Sequence, residues 1–231
     1  MNEIVGLIEN FAPLDTQEPW DCSGFQIDLG TKEVKKVLLC ISVTEDIVEQ
    51  ALAKNCDFIV AHHPLFFVPF AFNKGVSIYS AHTNLDKADG GTTDTLIDLL
   101  GLGGAQKIGE FLRLVELNQE ISLKDFISLI KTGLELKTVK VVNNSDKQNI
   151  QKIAFCAGSG ADFIEDAEKN GAHVIVTGDV KYHQALESNV IIVDVGHFES
   201  ERPVLNKIKS LLETLKIKVV IADEKSPFIN Y

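Results

Sequence analysis

A strand–helix–strand pattern occurs twice in this 231-residue sequence and constrains the fold more than any other feature. The segment Lys36–Cys40 aligns with Lys152–Cys156, and the alignment continues without a gap through a helix into a second apolar strand. The paired positions include Asp46 with Asp162, Glu49 with Glu165, Ile59 with Ile175 and Val60 with Val176. Parallel strands joined by a helix form right-handed βαβ units. The pattern predicts an α/β fold of two related α/β/α domains from an internal duplication, although so few identities also allow a chance similarity.

Hydrophobic spacing and capping residues predict the other elements along the chain. Apolar residues recur at helical spacing over Glu3–Phe11, and Thr44 and Ser122 are typical N-caps of the helices that follow them. The remaining predicted elements are strands at Lys36–Val43, Phe58–Ala61, Val76–Ala81, Thr138–Val142 and Lys218–Ala222, a strand or bent hairpin arm over Gln106–Leu117, and helices at Thr92–Leu100 and Arg202–Leu215.

Two adjacent histidines, His62 and His63, stand where the buried strand at Phe58–Ala61 ends. The carboxyl ends of strands are where open α/β sheets bind ligands, and neutral imidazole is a common ligand of transition metals. Adjacent residues of a strand point to opposite faces, so both rings can serve one site only if the backbone turns here. Pro64 makes such a turn plausible. Two unrelated surface histidines are the alternative.

Three other strand ends carry histidines or carboxylates. They supply His82 and Asp86 after one strand, Asp179 after the next, and His197 with Glu201 after a third. His197 and Glu201 share a face if the segment after Gly196 is helical. Histidines and carboxylates in this ratio suit Zn, Fe, Mn, Co or Ni better than Ca or Mg. One metal needs about four ligands, and five or six are enough for two ions that share a bridge.

Two further histidines, His82 and His183, are candidates for orienting a ligand or for moving protons. For His82 the alternative is a buried histidine with satisfied hydrogen bonds, and for His183 an ordinary histidine on a helix surface. The turn Gly158-Ser159-Gly160 could cradle a phosphate through its backbone N–H groups, but it lacks the P-loop lysine. Four phenylalanines beside the double histidine predict an apolar pocket wall, a subunit contact or core packing: Phe66, Phe67, Phe70 and Phe72.

The charge balance excludes some classes of partner. A formal net charge of −11 argues against a nucleic-acid backbone or an anionic membrane as the main partner. The N-terminus shows no basic segment followed by an apolar core, and no apolar run reaches the length of a membrane span. We therefore expect a soluble, cytoplasmic protein.

Taken together, the motifs resemble one family over nearly the whole chain, from Trp20-Asp21 to Glu201. They are His62-His63-Pro64-Leu65-Phe66-Phe67, Ala81-His82-Thr83-Asn84-Leu85-Asp86, Gly178-Asp179 and Gly196-His197-x-x-x-Glu201. In this order they are similar to the Nif-three-like dinuclear metal-centre proteins, known as GTP cyclohydrolase 1 type 2 homologues. The resemblance implies two related α/β domains with mixed sheets, and a two-metal site in the cleft between them. It also implies a toroidal homohexamer.

The resemblance further implies two divalent transition-metal ions, with ligands that map onto His62, His63, Asp86, His197 and Glu201. Glu201 or Asp86 is the implied bridge. The expected function is a metal-dependent hydrolase in which metal-bound hydroxide opens the ring of a purine nucleotide such as GTP, with His82 or His183 moving protons. A metal-dependent phosphoesterase and a non-enzymatic metal-binding scaffold are the alternatives.

The sequence departs from the family pattern in two places. Cys22 replaces the asparagine of a Trp-Asp-Asn motif, and Phe25 follows Gly24, so this loop can pack differently. The connecting region 104–149 is too short for the domain that some relatives insert, which indicates a short form. We expect a first domain over residues 1–115 and a second over 116–231, with halves that can intertwine.

Overall fold

The computed structural model of the chain describes residues 1–65 and 75–229. Within these residues the strands are β1 (Gly24–Ile27), β2 (Lys36–Cys40), β3 (Phe58–Ala61), β4 (Ser77–Ser80), β5 (Gln106–Ile108), β6 (Leu112–Ser122), β7 (Lys140–Val142), β8 (Asn149–Phe155), β9 (Val174–Thr177), β10 (Ile191–Asp194) and β11 (Lys218–Ile221). The α-helices are α1 (Asn2–Phe11), α2 (Glu45–Ala53), α3 (Thr83–Lys87), α4 (Thr92–Leu99), α5 (Leu123–Gly133), α6 (Ile164–Lys169), α7 (Tyr182–Glu187), α8 (His197–Glu201) and α9 (Val204–Glu213). Short 3₁₀ helices lie at Leu14–Thr16 and Ala161–Phe163.

The chain forms two compact units, each built on one mixed sheet. The first unit comprises Met1–Gly91 and Val204–Pro227, and the second comprises Thr92–Pro203 and Phe228–Tyr231. This division differs from the one expected between residues 115 and 116. The reason is that β11 pairs in parallel with β2, so the C-terminal segment completes the first unit. The expected α/β class with mixed sheets is confirmed.

In the first unit the sheet order is β1-β4-β3-β2-β11, and the edge strand β1 runs antiparallel to β4. Strands β2 and β3 are apolar over almost their whole length, because helices and loops cover both faces of a parallel sheet. All four residues of β3 are buried, for example. The predicted cap of α2 is confirmed, since the Thr44 side chain accepts a hydrogen bond from the Ile47 amide.

In the second unit the sheet order is β5-β6-β8-β9-β10-β7. The central strands β8, β9 and β10 are parallel neighbours, and the two outer pairs are antiparallel. The segment expected as a strand or hairpin arm over Gln106–Leu117 is the antiparallel pair β5–β6. Ser122 caps α5 as predicted, because its side chain accepts from the Asp125 amide.

Both units therefore contain three consecutive parallel strands that are neighbours in the sheet, β2-β3-β4 in one and β8-β9-β10 in the other. In each unit a helix, α2 or α6, connects the first of these strands to the second. This arrangement is what a duplication would produce, and the duplication itself stays a prediction. Among the described residues, no helix has the length and apolar character needed to cross a bilayer.

Candidate metal centre

The strand register of the first unit brings three polar strand ends to one edge of the sheet. Cys40 pairs with Ala61, and Ala61 pairs with Ser80, so β2, β3 and β4 end side by side. The residues that follow them are Ser42, His62 with His63, and His82. Polar side chains from separate parts of the chain therefore gather at the carboxyl edge, which is where open α/β sheets bind ligands.

His62 and His63 turn toward each other despite being adjacent in sequence. Their ring centroids lie 5.0 Å apart, because the backbone leaves the strand after Ala61. The His62 ring is buried, and its Nδ1 lies 2.8 Å from the carbonyl oxygen of Ala81. A carbonyl oxygen only accepts, so the proton of neutral His62 is on Nδ1 and Nε2 is the nitrogen able to bind a metal. The alternative of two unrelated surface histidines is excluded.

Ser42 and the C-terminal segment support His63. The Ser42 hydroxyl lies 2.8 Å from His63 Nδ1. The Glu224 carboxylate in turn accepts hydrogen bonds from the backbone N–H groups of Ile41 and Ser42, at 2.7 and 2.8 Å. Glu224 therefore fixes the turn that carries the His63 partner. Outer contacts of this kind orient metal-ligating histidines and set their tautomers.

His82 joins the two histidines. The ligand nitrogens of His62, His63 and His82 all lie within 4.8 Å of one another. His82 Nδ1 is 2.9 Å from the Asp21 carboxylate, and burial together with repulsion from His62 lowers the pKa of His82 even though Asp21 opposes that shift. Burial alone would raise the pKa of Asp21, but hydrogen bonds from Thr83, His82 and Cys22 hold it well below the usual range.

Asp86 adds a carboxylate to this group from α3. Its Oδ1 lies 3.6 Å from His62 Nε2. The Asp86 amide donates to the carbonyl of His82, so the first turn of α3 carries the carboxylate to the nitrogen. The first unit thus presents three imidazoles and one carboxylate.

The second unit presents a smaller group at the matching edge of its own sheet. Phe155 pairs with Val176, and Thr177 pairs with Asp194, so β8, β9 and β10 end together. Gly158, Asp179 and His197 follow these ends. The segment after Gly196 is helical, as α8, so the condition for a shared face is met, and His197 Nε2 lies 3.1 Å from the buried carboxylate of Glu201.

Two carboxylates hold the His197 ring. Its Nδ1 lies 2.7 Å from Asp179 Oδ2, while Nε2 faces Glu201. The hydrogen bond with Glu201 and the charges of both carboxylates outweigh burial and raise the pKa of His197 to about 9. The negative potential that favours a proton on this ring also favours a metal cation.

Two glycines, Gly158 and Gly178, leave space for the Glu201 carboxylate and for the start of α8. Gly158 has φ +71°, and a Cβ at that position would collide with the Glu201 carboxylate and lie 3.6 Å from His197 Nε2. A Cβ on Gly178 would collide with the backbone of His197, whose N would be 2.5 Å away. The loops after β8 and β9 can therefore approach the ligand pair only because they have no side chain at these positions.

The turn Gly158-Ser159-Gly160 is not a phosphate cradle. The backbone N–H of Gly158 donates to the Ser200 hydroxyl at 2.8 Å, and that of Gly160 donates to the Thr177 hydroxyl at 2.9 Å. Both N–H groups are thus used within the unit, and within this turn it is Gly158 that leaves space for Glu201.

The remaining candidates fall outside the two ligand groups. His183 is exposed on α7 beside Tyr182, and it belongs to neither metal-ligand group found among the described residues. The phenylalanines expected to wall a pocket, Phe66, Phe67, Phe70 and Phe72, lie outside the described residues. A cavity of about 220 Å³ in the second unit is lined by His197, Asp179 and Lys140 among others, and it gives a small molecule access to the His197 ring.

Three supporting residues had no predicted role: Asp21, Ser42 and Glu224. Asp21 was noticed as part of the Trp20–Gly24 loop, but nothing in that loop indicated a bond to a histidine 61 residues further on. A weak indication for Ser42 was its place just after β2, at the same sheet edge as the histidines.

The donor set fits a divalent transition metal. Nitrogen donors with one or two carboxylates are the ligands that Zn, Fe, Mn, Co and Ni share, whereas Ca and Mg prefer oxygen donors. His62, His82 and His197 each direct Nδ1 to a carbonyl or carboxylate oxygen. That arrangement is the usual outer support of metal-ligating histidines.

Comparison with known proteins gives the family. Residues 1–227 match the family described as Duf34/NIF3 (NGG1p interacting factor 3). A Clostridium perfringens protein named GTP cyclohydrolase 1 type 2 homolog is 33% identical, covering 99% of this chain and 98% of its own. A Helicobacter pylori protein named GTP cyclohydrolase 1 type 2 is 28% identical over 98% of this chain and 97% of its own.

Solved structures agree with the sequence comparison. The crystal structure of a Staphylococcus aureus hypothetical protein matches with a TM-score of 0.91 and 25% identity, covering 100% of this chain and 98% of that one. A Bacillus cereus protein related to NIF3 matches with a TM-score of 0.86 and 23% identity over 100% of this chain and 98% of its own, and it shows the shared fold. From the family match over residues 1–227 and the identity to the clostridial relative, the chain belongs to the Duf34/NIF3 family.

Proposed function

We propose that this protein is a dinuclear-metal-dependent hydrolase that opens the ring of a purine nucleotide, in a reaction of the GTP cyclohydrolase type. The observation that supports it most is the set of histidines whose Nδ1 atoms are held by oxygen atoms of the protein while carboxylates stand beside them. The names of the relatives point to GTP as the substrate. A buried, oriented donor set of this kind is costly to maintain unless it binds a cation.

The proposed ligands are the five that the family resemblance implies: His62, His63, Asp86, His197 and Glu201. We assign the bridge to Glu201, because its carboxylate is buried whereas Asp86 is partly exposed. Asp179 would orient His197 through Nδ1 without binding an ion itself.

Two divalent ions, when bound, would activate a water molecule for attack and polarise the carbon that it attacks. The side chains of this protein would transfer the protons and limit the access of water. His82 would accept a proton at Nε2 and return it to the ring nitrogen that leaves, while the surrounding apolar strands limit the access of bulk water. Opening of the imidazole ring of GTP and hydrolysis of the resulting formamide would release formate.

The direct test is incubation of GTP with the protein loaded separately with Zn, Mn, Fe, Co or Ni. The expected result is formate release that depends on the metal and stops on addition of a chelator. A generic phosphodiester in parallel reactions tests the alternative phosphoesterase, since paired metals also assist in-line phosphoryl displacement. If no metal gives formate or alcohol, the proposal fails and a non-enzymatic role gains support, as the family description of an interacting factor would suggest.

We propose His82 rather than His183 as the proton carrier. His82→Asn should lower formate release by about 10²-fold, the usual contribution of a general acid–base group. His183→Asn, on the exposed surface of α7, should leave the rate within about twofold and serves as the matched control. Steady-state kinetics on metal-replete proteins would check both, and equal losses in the two variants would refute the assignment.

The proposed assembly is a cytoplasmic homohexamer that closes into a ring. Multi-angle light scattering should then give six times the 25.4 kDa chain mass. A monomer or dimer at micromolar concentration would contradict this part of the proposal without affecting the metal ligands.

A further inference from the structure

The Asp21 carboxylate is the most tightly held charged group in the loop before β1. Its side chain is 0% exposed. Oδ2 accepts hydrogen bonds from three donors: the Ser23 hydroxyl, the Thr83 amide and the Thr83 hydroxyl. Oδ1 accepts from the Cys22 amide at 2.7 Å and faces His82 Nδ1 at 2.9 Å. Four donors other than His82 surround this carboxylate, so it is ionised and fixed in orientation.

This contact determines where the proton of His82 resides. An ionised carboxylate can only accept hydrogen bonds, so the proton of the neutral imidazole must be on Nδ1. Nε2 is then left with a lone pair. The His82 ring centroid lies 5.1 Å from that of His62 and 5.4 Å from that of His63, so that lone pair belongs to a ring packed against two proposed metal ligands.

We infer that Asp21 is the positioning residue of the reaction: it fixes the His82 tautomer with hydrogen on Nδ1, so that Nε2 can accept a proton beside the metal centre. The part of this inference that concerns proton transfer rests on the proposed function. The part that concerns the tautomer does not, because it follows from the Asp21 contacts alone.

Asp21→Asn is the informative change because it keeps the shape and reverses the hydrogen-bonding direction at His82, although it also takes the acceptor away from the Cys22 amide. Three donors converge on Oδ2, so the asparagine oxygen is expected to take that position. The amide NH₂ then takes the position of Oδ1 and donates to His82 Nδ1. His82 Nδ1 must then accept that hydrogen bond, so the imidazole adopts the other tautomer. In that tautomer the hydrogen is on Nε2, which no longer has a lone pair. A buried aspartate-to-asparagine change beside a catalytic histidine has this effect in the serine proteases.

The experiment uses the full chain, free of metal, with ¹⁵N-labelled histidine, in mildly alkaline buffer. Long-range ¹H–¹⁵N correlation spectra distinguish a protonated ring nitrogen from a bare one, and the signals lost in His82→Asn identify this residue. We expect the wild type to show hydrogen on Nδ1 and Asp21→Asn to show it on Nε2. Ser23→Ala removes one donor from Oδ2 and one acceptor of the His82 backbone N–H, which Asn84 Oδ1 also accepts. It leaves the Oδ1 contact, so it should keep the wild-type tautomer.

Hydrogen on Nε2 in the wild type, or on Nδ1 in a folded Asp21→Asn protein, would overturn the inference. If Asp21→Asn does not fold, the wild-type spectrum still decides between the two tautomers. Where formate release is measurable, Asp21→Asn should keep the wild-type metal content and lose at least about 10-fold in kcat, while Ser23→Ala loses less than about twofold. If the wild type releases no formate, the proposed function fails, whereas the tautomer result stands or falls by itself.

Discussion

Glu201→Gln should reduce the bound metal to half of the wild-type content or less, and should lower formate release by about 10³-fold, equivalent to ~4 kcal/mol. The substitution keeps the size of a buried side chain whose Oε1 lies 3.1 Å from His197 Nε2, and it removes the negative charge. A neutral amide is a much weaker metal ligand than a carboxylate and cannot bridge two cations effectively. Elemental analysis of the purified protein, followed by the formate assay, measures both effects.

Glu199→Gln is the control for this prediction. Glu199 lies on the same short helix, α8, and carries the same charge, but it is not among the proposed ligands. Glu199 lines the cavity beside His197, so this variant removes a negative charge near the site without removing a proposed ligand, and it should leave the metal content unchanged. An unchanged metal-to-chain ratio in Glu201→Gln would reject Glu201 as the bridge.

Gly158→Ala should remove metal from the second-unit group and lower formate release by about 10²-fold, although the changed residue is not itself a ligand. The new methyl group would occupy the space of the Glu201 carboxylate, which must then move away from His197. The left-handed backbone at φ +71° adds strain of about 1–2 kcal/mol for any residue with a Cβ. Metal analysis measures the effect of displacing Glu201, and urea unfolding measures the loss of stability caused by the backbone strain.

Gly171→Ala separates backbone strain from the collision with Glu201. Gly171 has nearly the same conformation, φ +73°, but a Cβ there would meet only the Lys152 ammonium at 3.8 Å. Both variants should therefore lose similar stability from strain, whereas metal should be lost in Gly158→Ala alone. Equal metal contents in the two variants would show that the space beside Glu201 does not matter.

Local sequence features were sufficient to predict much of the fold. Thr44 and Ser122 cap helices as expected, because an N-cap interaction spans only three residues. The buried strands β3 and β9 are short apolar runs with a polar residue at the end, and such runs need both sheet faces covered. Edge strand β1 was missed, since its four residues show no clear alternation and its pairing partner β4 lies more than 50 residues away.

The candidate ligands could also be identified from the sequence, whereas the residues that orient them could not. A histidine or carboxylate at a strand end is visible in a single sequence. The hydrogen bond between Ser42 and His63 and the one that Ile41 donates to Glu224 join residues 21 and 183 positions apart, and no local pattern encodes such pairs. The contact of Asp21 with His82 and the pairing of β11 with β2 also join residues far apart in the sequence, so they could not be predicted from local patterns.

The sequence by itself determined the chemistry available to this protein: two α/β segments, and histidines and carboxylates where strands end. It could do so because strand and helix periodicity and ligand chemistry are local properties. Only the tertiary structure decided which ring nitrogens lie close together, which carboxylates orient them and where glycine leaves space. Those depend on strand register and on contacts between residues far apart in the chain, which form only when each unit packs.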